Sequence, residues 1–266
     1  MIRTVSAAFG RLFFARLFSV ALFAIFIAQC TFPSSEASES DELKPRQAMF
    51  VGLDVSGSFK RDYDDAVAFL AHYLYGHLKG LGGLEKPRDL FVAAIGGKGE
   101  DDPKTFHPIH DFNGKDLAQI EASLREWFPP KDTYSDFNAF FHKVARIAKE
   151  RNLLLAPITV FVVSDGVPDV PGATPGTREL YRHIDLSPIE YLSKNVTLRL
   201  TYASPKVGEY WRNFVVHDRV RLWTVEAEVM KGWRGQLEGG VDLARQAKLW
   251  KWVRDNVDFR VRSKAL

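Results

Sequence analysis

From Ala48 to its end the chain alternates short apolar runs of strand length with longer segments whose apolar residues recur every three to four positions. Continuous apolar runs, as opposed to alternating ones, belong to strands buried on both faces, and parallel strands of that kind need long crossover connections, usually helices. The expected fold class is therefore α/β: a doubly wound, mostly parallel central sheet with helices on both faces and one antiparallel edge strand.

Strands are read at residues 49–53, 90–95, 158–163, 196–202 and 220–227, and helices at 64–81, 117–127, 137–154 and 243–253. The first helix carries Ala66, Phe69, Leu70, Tyr73, Leu74, His77 and Leu78 on one stripe,. In residues 105–111, Pro108 removes a ladder donor, so this segment belongs at a sheet edge in an antiparallel hairpin,. Pro129 and Pro130 stop the second helix,. No internal repeat interrupts this pattern.

The first 30 residues contain Arg3, Arg11 and Arg16, no acid, and an apolar run from Leu17 to Ala28 that ends at Cys30. A membrane-spanning helix needs roughly 20 apolar residues, so this shorter run reads as a signal peptide over residues 1–30. Residues 31–47, TFPSSEASESDELKPRQ, are too polar to pack and suit a flexible tether, and the folded domain is expected over 48–266,. The chain has 36 Lys and Arg against 33 Asp and Glu, and the three signal arginines account for the whole excess. A remainder of zero net charge gives no reason to expect nucleic acid as a partner.

Cys30 is the only cysteine, so no intramolecular disulfide is available to an exported product,. Its position after Ile27, Ala28 and Gln29 resembles a bacterial lipobox, although Gln29 departs from the small residue usual there. The resemblance implies a lipid on Cys30 and a membrane anchor in the cell envelope or periplasm. The alternative is an ordinary cysteine in a signal that is cleaved nearby.

Two strands end in acids. The first runs into Asp54-Val55-Ser56-Gly57-Ser58, and residues 158–163 run into Ser164-Asp165-Gly166. In an open α/β sheet the ligand crevice lies outside the carboxyl ends of the strands, so loops far apart in sequence meet there. Asp54, Ser56 and Ser58 offer a carboxylate and two hydroxyls at alternate positions, with Asp165 as a second carboxylate. This all-oxygen set suits a hard cation.

DVSGS after an apolar strand, a hydroxyl-bearing loop before a helix, then SDG after another strand resembles the metal-ion-dependent adhesion site of von Willebrand factor A (VWA) domains. The resemblance covers about residues 48–262. It implies a VWA fold, a magnesium ion (or manganese or calcium) held by Asp54, Ser56, Ser58 and Asp165, and a protein partner that presents an acidic residue to the metal. The family usually places a threonine in the third loop. Here KDTYSDF offers both Thr133 and Ser135: residue type favours Thr133, whereas the phase of the following helix favours Ser135. Asp169 is open between a role behind the metal ligands and a turn.

Other features have plainer readings. His107 and His110 lack a third zinc ligand and read as edge-strand residues. Gly96-Gly97-Lys98-Gly99 is not followed by the Lys-Ser/Thr of a phosphate loop and reads as a turn. Trp211, Trp223, Trp233, Trp250 and Trp252 are chiefly assigned to packing. An aspartate-nucleophile phosphatase needs an acid where this chain has Ser56, and VSGSF is not a serine-hydrolase elbow. The expectation is a metal-dependent binding module and not an enzyme, with a structural envelope protein carrying a vestigial site, or a metal-dependent hydrolase, as alternatives.

Overall fold

A computed structural model describes residues 46–96 and 105–259. The signal-like segment, Cys30, the tether up to residue 45, residues 97–104 with most of the 96–99 turn, and residues 260–266 lie outside the described residues. No helix among the described residues is long and apolar enough to cross a membrane.

The described strands form one six-stranded sheet in the order β3-β2-β1-β4-β5-β6. Its members are β1 (Ala48–Asp54), β2 (Asp89–Ile95), β3 (His107–Pro108), β4 (Ile158–Val163), β5 (Val196–Ala203) and β6 (Val220–Glu226). β1 pairs in parallel with β2 and β4, β4 with β5 and β5 with β6, while β3 runs antiparallel to β2 at the edge. The mostly parallel α/β fold and its antiparallel edge are thus as the sequence implies. The edge strand is only two residues long and passes into a 3-10 turn at Ile109–Phe112.

The helices are α1 (Tyr63–Lys79), α2 (Leu117–Trp127), α3 (Phe137–Glu150), the short α4 (Arg178–Arg182) and α5 (Ser187–Glu190), α6 (Pro205–Phe214), the short α7 (Ala227–Met230) and α8 (Ala247–Asn256). Successive side chains of a strand point to opposite faces, and β1 shows what this does to the core. Met49, Val51 and Leu53 pack with residues of α1, α2 and α8, whereas Ala48 and Phe50 pack with residues of α3 and with Trp211 of α6. Gly52 has a packing role: a Cβ there would lie 2.5 Å from Ile95 Cδ1 and 2.8 Å from Phe140 Cζ, so only glycine lets α3 lie this close to the sheet,.

Local chemistry sets the helix limits. A capping box opens α2, with the Gln119 N–H donating to Asp116 at 2.8 Å and the Asp116 N–H donating to Gln119 Oε1 at 2.9 Å,. Two helices differ from the sequence reading. The helix expected over 137–154 ends at Glu150, because Asn152 and Leu155 adopt left-handed backbone angles of φ 52° and 74°. The helix expected from 243 begins at Ala247, after a separate 3-10 turn at Leu243–Arg245. Gln246 makes the break: its side-chain amide donates to the carbonyls of Glu238 and Val241 at 2.8 and 2.9 Å.

Candidate metal centre

The carboxyl ends of β1 and β4 are adjacent because these strands pair at the centre of the sheet. Asp54 ends β1 fully buried, and its Oδ1 accepts the Ser56 N–H at 2.8 Å, which bends the chain into the 3-10 turn Ser58–Arg61. The Ser56 and Ser58 hydroxyl oxygens lie 3.2 Å apart. From β4, the buried Ser164 hydroxyl donates to Asp54 Oδ2 at 2.5 Å and accepts the Gly166 N–H at 2.8 Å. Asp165 accepts the Val167 N–H at 3.0 Å and the Ser58 hydroxyl. Asp54, Ser56, Ser58 and Asp165 therefore form one connected group.

Gly166 fixes the far side of this loop. Its φ is 74°, and a Cβ on it would lie 2.8 Å from Leu200 Cδ2 and 3.0 Å from the Trp211 indole nitrogen. That nitrogen donates to the Gly166 carbonyl at 2.8 Å, so a buried tryptophan of α6 holds the backbone beside Asp165.

The third loop is stitched to both others. The Asp132 N–H donates to the Val55 carbonyl at 3.1 Å, and Ser135 and Asp169 exchange backbone hydrogen bonds at 3.0 and 3.5 Å. Ser135 is 1% exposed, and its hydroxyl has no hydrogen-bond partner among the described residues; Thr133 is exposed. A small cleft of about 50 Å³ opens beside Ser135, with Pro168, Val170, Leu180 and Ile184 on its walls.

The electrostatics are those of uncompensated negative charge. Burial pushes the Asp54 carboxyl from 3.8 up to about 7; the Ser164 hydrogen bond opposes this, and the charge of Asp165 adds to it,. Asp165 is also raised, first by burial, against the hydrogen bonds from Val167 and Ser58, with Asp62 as a further like charge. Burial raises Asp169 as well. Tyr181 is a residue that no motif announces: its buried hydroxyl lacks a partner among the described residues, and its pKa is raised by burial and then by the charge of Asp165.

Two raised carboxyls and three serine hydroxyls, of which that of Ser135 is buried and unsatisfied, fit a hard cation, which would neutralise the acids and give Ser135 a partner,. Among the described residues no three His, Cys, Asp or Glu side chains converge as a metal-binding group, so such an ion would depend on hydroxyl oxygens. His107 and His110 have partners outside the Asp54 and Asp165 loops. His107 pairs with Asp111 at 2.9 Å and stacks on Trp127 with ring centroids 3.9 Å apart, and His110 lies 3.5 Å from the same carboxylate. Trp211, Trp233 and Trp250 are buried in the core, while Trp223 and Trp252 are partly buried.

No family model matches the chain, and no curated protein matches it. Solved structures similar to it include the VWA domain of SpRpn10, at 12% identity and a TM-score of 0.42 over 68% of this chain and 88% of that one. The pilus adhesin SpaC from Lactobacillus rhamnosus GG, in its open conformation, aligns at 10% identity and a TM-score of 0.46 over 81% of this chain and 31% of the adhesin. Manganese-loaded Plasmodium vivax TRAP protein aligns at 14% identity and a TM-score of 0.44, covering 69% of this chain and 70% of that one.

Proposed function

We propose that this chain is a metal-dependent protein-binding module held at a bacterial cell envelope. The observation that carries the reading is the meeting of Asp54 and Asp165, both raised above the usual carboxylate range, at the ends of β1 and β4, together with a buried, unsatisfied Ser135 hydroxyl on a loop whose backbone is hydrogen-bonded to Val55 and Asp169. In this reading Asp54, Ser56, Ser58, Ser135 and Asp165 hold one magnesium ion, with manganese or calcium as substitutes. The bound ion supplies a Lewis-acidic coordination position for an oxygen from outside the chain.

The protein's own residues set the selectivity. Two carboxylates cancel a divalent charge and no more, so an acidic residue of a partner remains attractive to the site. The apolar walls of the cleft beside Ser135 offer a seat for residues that flank that acid. The chain is not an enzyme in this reading, and phosphatase, protease and nucleotide-hydrolysis assays are expected to stay blank.

Capture of envelope proteins by the full chain, with magnesium and with chelator, tests the proposal. Partners retained only with magnesium, and lost in Asp54→Ala, support it. The same proteins retained in all three cases favour a structural protein whose site is vestigial. The third-loop ligand has its own test. Ser135→Ala is expected to weaken magnesium binding by about tenfold or more, because a buried oxygen is lost, and Thr133→Ala to leave it unchanged. Calorimetric titration giving the reverse order would assign the ligand to Thr133.

Envelope attachment through a lipid on Cys30 is part of the same proposal. Fractionation of a Cys30→Ala variant is expected to move the protein out of the membrane fraction, and retention there would exclude this anchor.

A further inference from the structure

The loops that lead into β4, β5 and β6 lie at the amino-terminal end of the sheet, opposite the end that carries Asp54 and Asp165. They hold the four most exposed large apolar side chains among the described residues: Leu155 at 82%, Tyr191 at 71%, Val216 at 64% and Leu154 at 47%. The next, Val229 and Val241, are each 37% exposed. The strands β4, β5 and β6 are neighbours in the sheet, which brings the three loops side by side. The Leu155 N–H donates to the Leu192 carbonyl at 3.1 Å, which ties the first loop to the second, and the Arg219 guanidinium lies 5.1 Å from the centre of the Tyr191 ring, which ties the second to the third. Leu155 is held in a left-handed conformation, φ 74°, while its side chain faces solvent. Apolar residues grouped in this way mark a contact surface, in contrast to apolar residues scattered singly.

Two further observations say what covers it. The exposed charges around it are chiefly basic, with Arg151, Lys194, Arg219 and Arg221 against Asp218 and Glu150, the latter 3.8 Å from Arg146. The first described residues join the domain here: the Ala48 N–H donates to the Pro157 carbonyl at 2.9 Å, in the same loop as Leu154 and Leu155. Apolar side chains in a basic rim, beside the point where the described chain begins and toward which the proposed anchor would lead, match the interfacial region of an anionic bilayer. The proposed lipid anchor on Cys30 would make a weak contact sufficient, since an anchored chain keeps the surface at a high local concentration near the membrane.

We infer that the loops ahead of β4, β5 and β6 form a lipid-contacting surface that seats this end of the domain on an anionic membrane leaflet and turns the Asp54 end away from it. The inference rests on the proposed envelope attachment. It is tested with the full chain on phosphatidylglycerol-containing vesicles and on phosphatidylcholine vesicles, by covalent footprinting of exposed side chains. Leu155, Tyr191 and Val216 are expected to be labelled several-fold less on the anionic vesicles, with Val229 and Val241 unchanged. Lys194→Glu with Arg219→Glu is expected to restore labelling while the chain still sediments with the vesicles. A chain that sediments with both vesicles but is labelled equally on both overturns the surface and leaves the anchor standing. A chain that sediments with neither defeats both readings. Protection that survives the double charge reversal and comes with cross-linked pairs assigns the surface to a second copy of the chain and overturns the lipid contact.

Discussion

In chelator at pH 8, Asp54→Asn is expected to melt several degrees above the parent protein, and to gain nothing from added magnesium. The Asp54 carboxyl is raised from 3.8 to about 7 by burial, and the charge of Asp165 adds to this. A group whose pKa is raised in the folded state favours folding when protonated. Its contribution is complete below about pH 4 and is lost as the pH climbs through about 7, an effect bounded at on the order of 4 kcal/mol. Asparagine keeps the shape, accepts the Ser56 N–H through its oxygen and faces the Ser164 hydroxyl oxygen with its amide N–H as donor, but cannot ionise,. The metal-free variant and parent are therefore expected to melt together at pH 4 and to separate at pH 8, each kcal/mol being worth roughly 2–4 °C in a domain of this size. Magnesium reverses the order for the parent, which gains about 2.7 kcal/mol at a concentration a hundred times its Kd. Melting curves at the two pH values, with and without magnesium, give the answer. A variant less stable than the parent at pH 8 in chelator would mean that ionised Asp54 is not a burden on the fold.

The second large effect is expected from Asp65→Ala, behind the site and outside any metal shell. Asp65 Oδ2 accepts from the Tyr202 hydroxyl and from the Trp233 indole nitrogen, each at 3.0 Å, and Oδ1 accepts from Arg234 at 2.6 Å. Trp233 is fully buried and Tyr202 is 2% exposed. Tyr202 also has a φ of 71°, at the point where the register of β5 against β6 shifts, and packs edge-on against Phe59 of the turn that follows Ser58. Truncation leaves two buried donors without an acceptor, at about 1–3 kcal/mol each, so a loss of about 3–5 kcal/mol is expected. Asp65→Asn keeps an acceptor and is expected to lose less than half as much. Denaturant titration followed by tryptophan fluorescence measures both. A loss below about 1 kcal/mol for the alanine variant would show that water replaces the carboxylate without cost.

The sheet was legible because its strands are continuous apolar runs: residues 158–163 were read to the residue, and Pro108 located the antiparallel edge. The end of α3 was not legible, since buried Leu153 prolongs its apolar stripe and nothing local announces the left-handed Asn152. Helix α6 is not among the helices expected from the sequence, although its signals are present. Ser204 caps it by accepting the Val207 N–H at 3.3 Å, Pro205 opens it, and Val207, Tyr210, Trp211 and Phe214 recur at helical spacing. At the candidate site, the acids and serines of the first and second loops were readable from their order along the chain. Ser164 is read only as part of the loop that carries Asp165, and its bond to Asp54 appears only when β1 and β4 lie side by side. Thr133 and Ser135 differ in burial, which depends on the pairing of Ser135 with Asp169 across a long stretch of sequence, and no local pattern encodes that pairing. Tyr181 belongs to no motif and becomes visible only as a buried hydroxyl without a hydrogen-bond partner among the described residues.

The neighbouring positions of β1 and β4 also bear on when the site comes into being. Asp54 and Ser164 are 110 residues apart in the chain, with β2, β3, α1, α2 and α3 between them. Closing a loop of that length is among the slower steps of folding, because its entropy must be overcome before the contact gives anything back. An unfinished or partly folded chain has Asp54, Ser56 and Ser58 but nothing opposite them. Under the proposed function, partner capture would then be withheld from every folding intermediate and granted only when the centre of the sheet has closed.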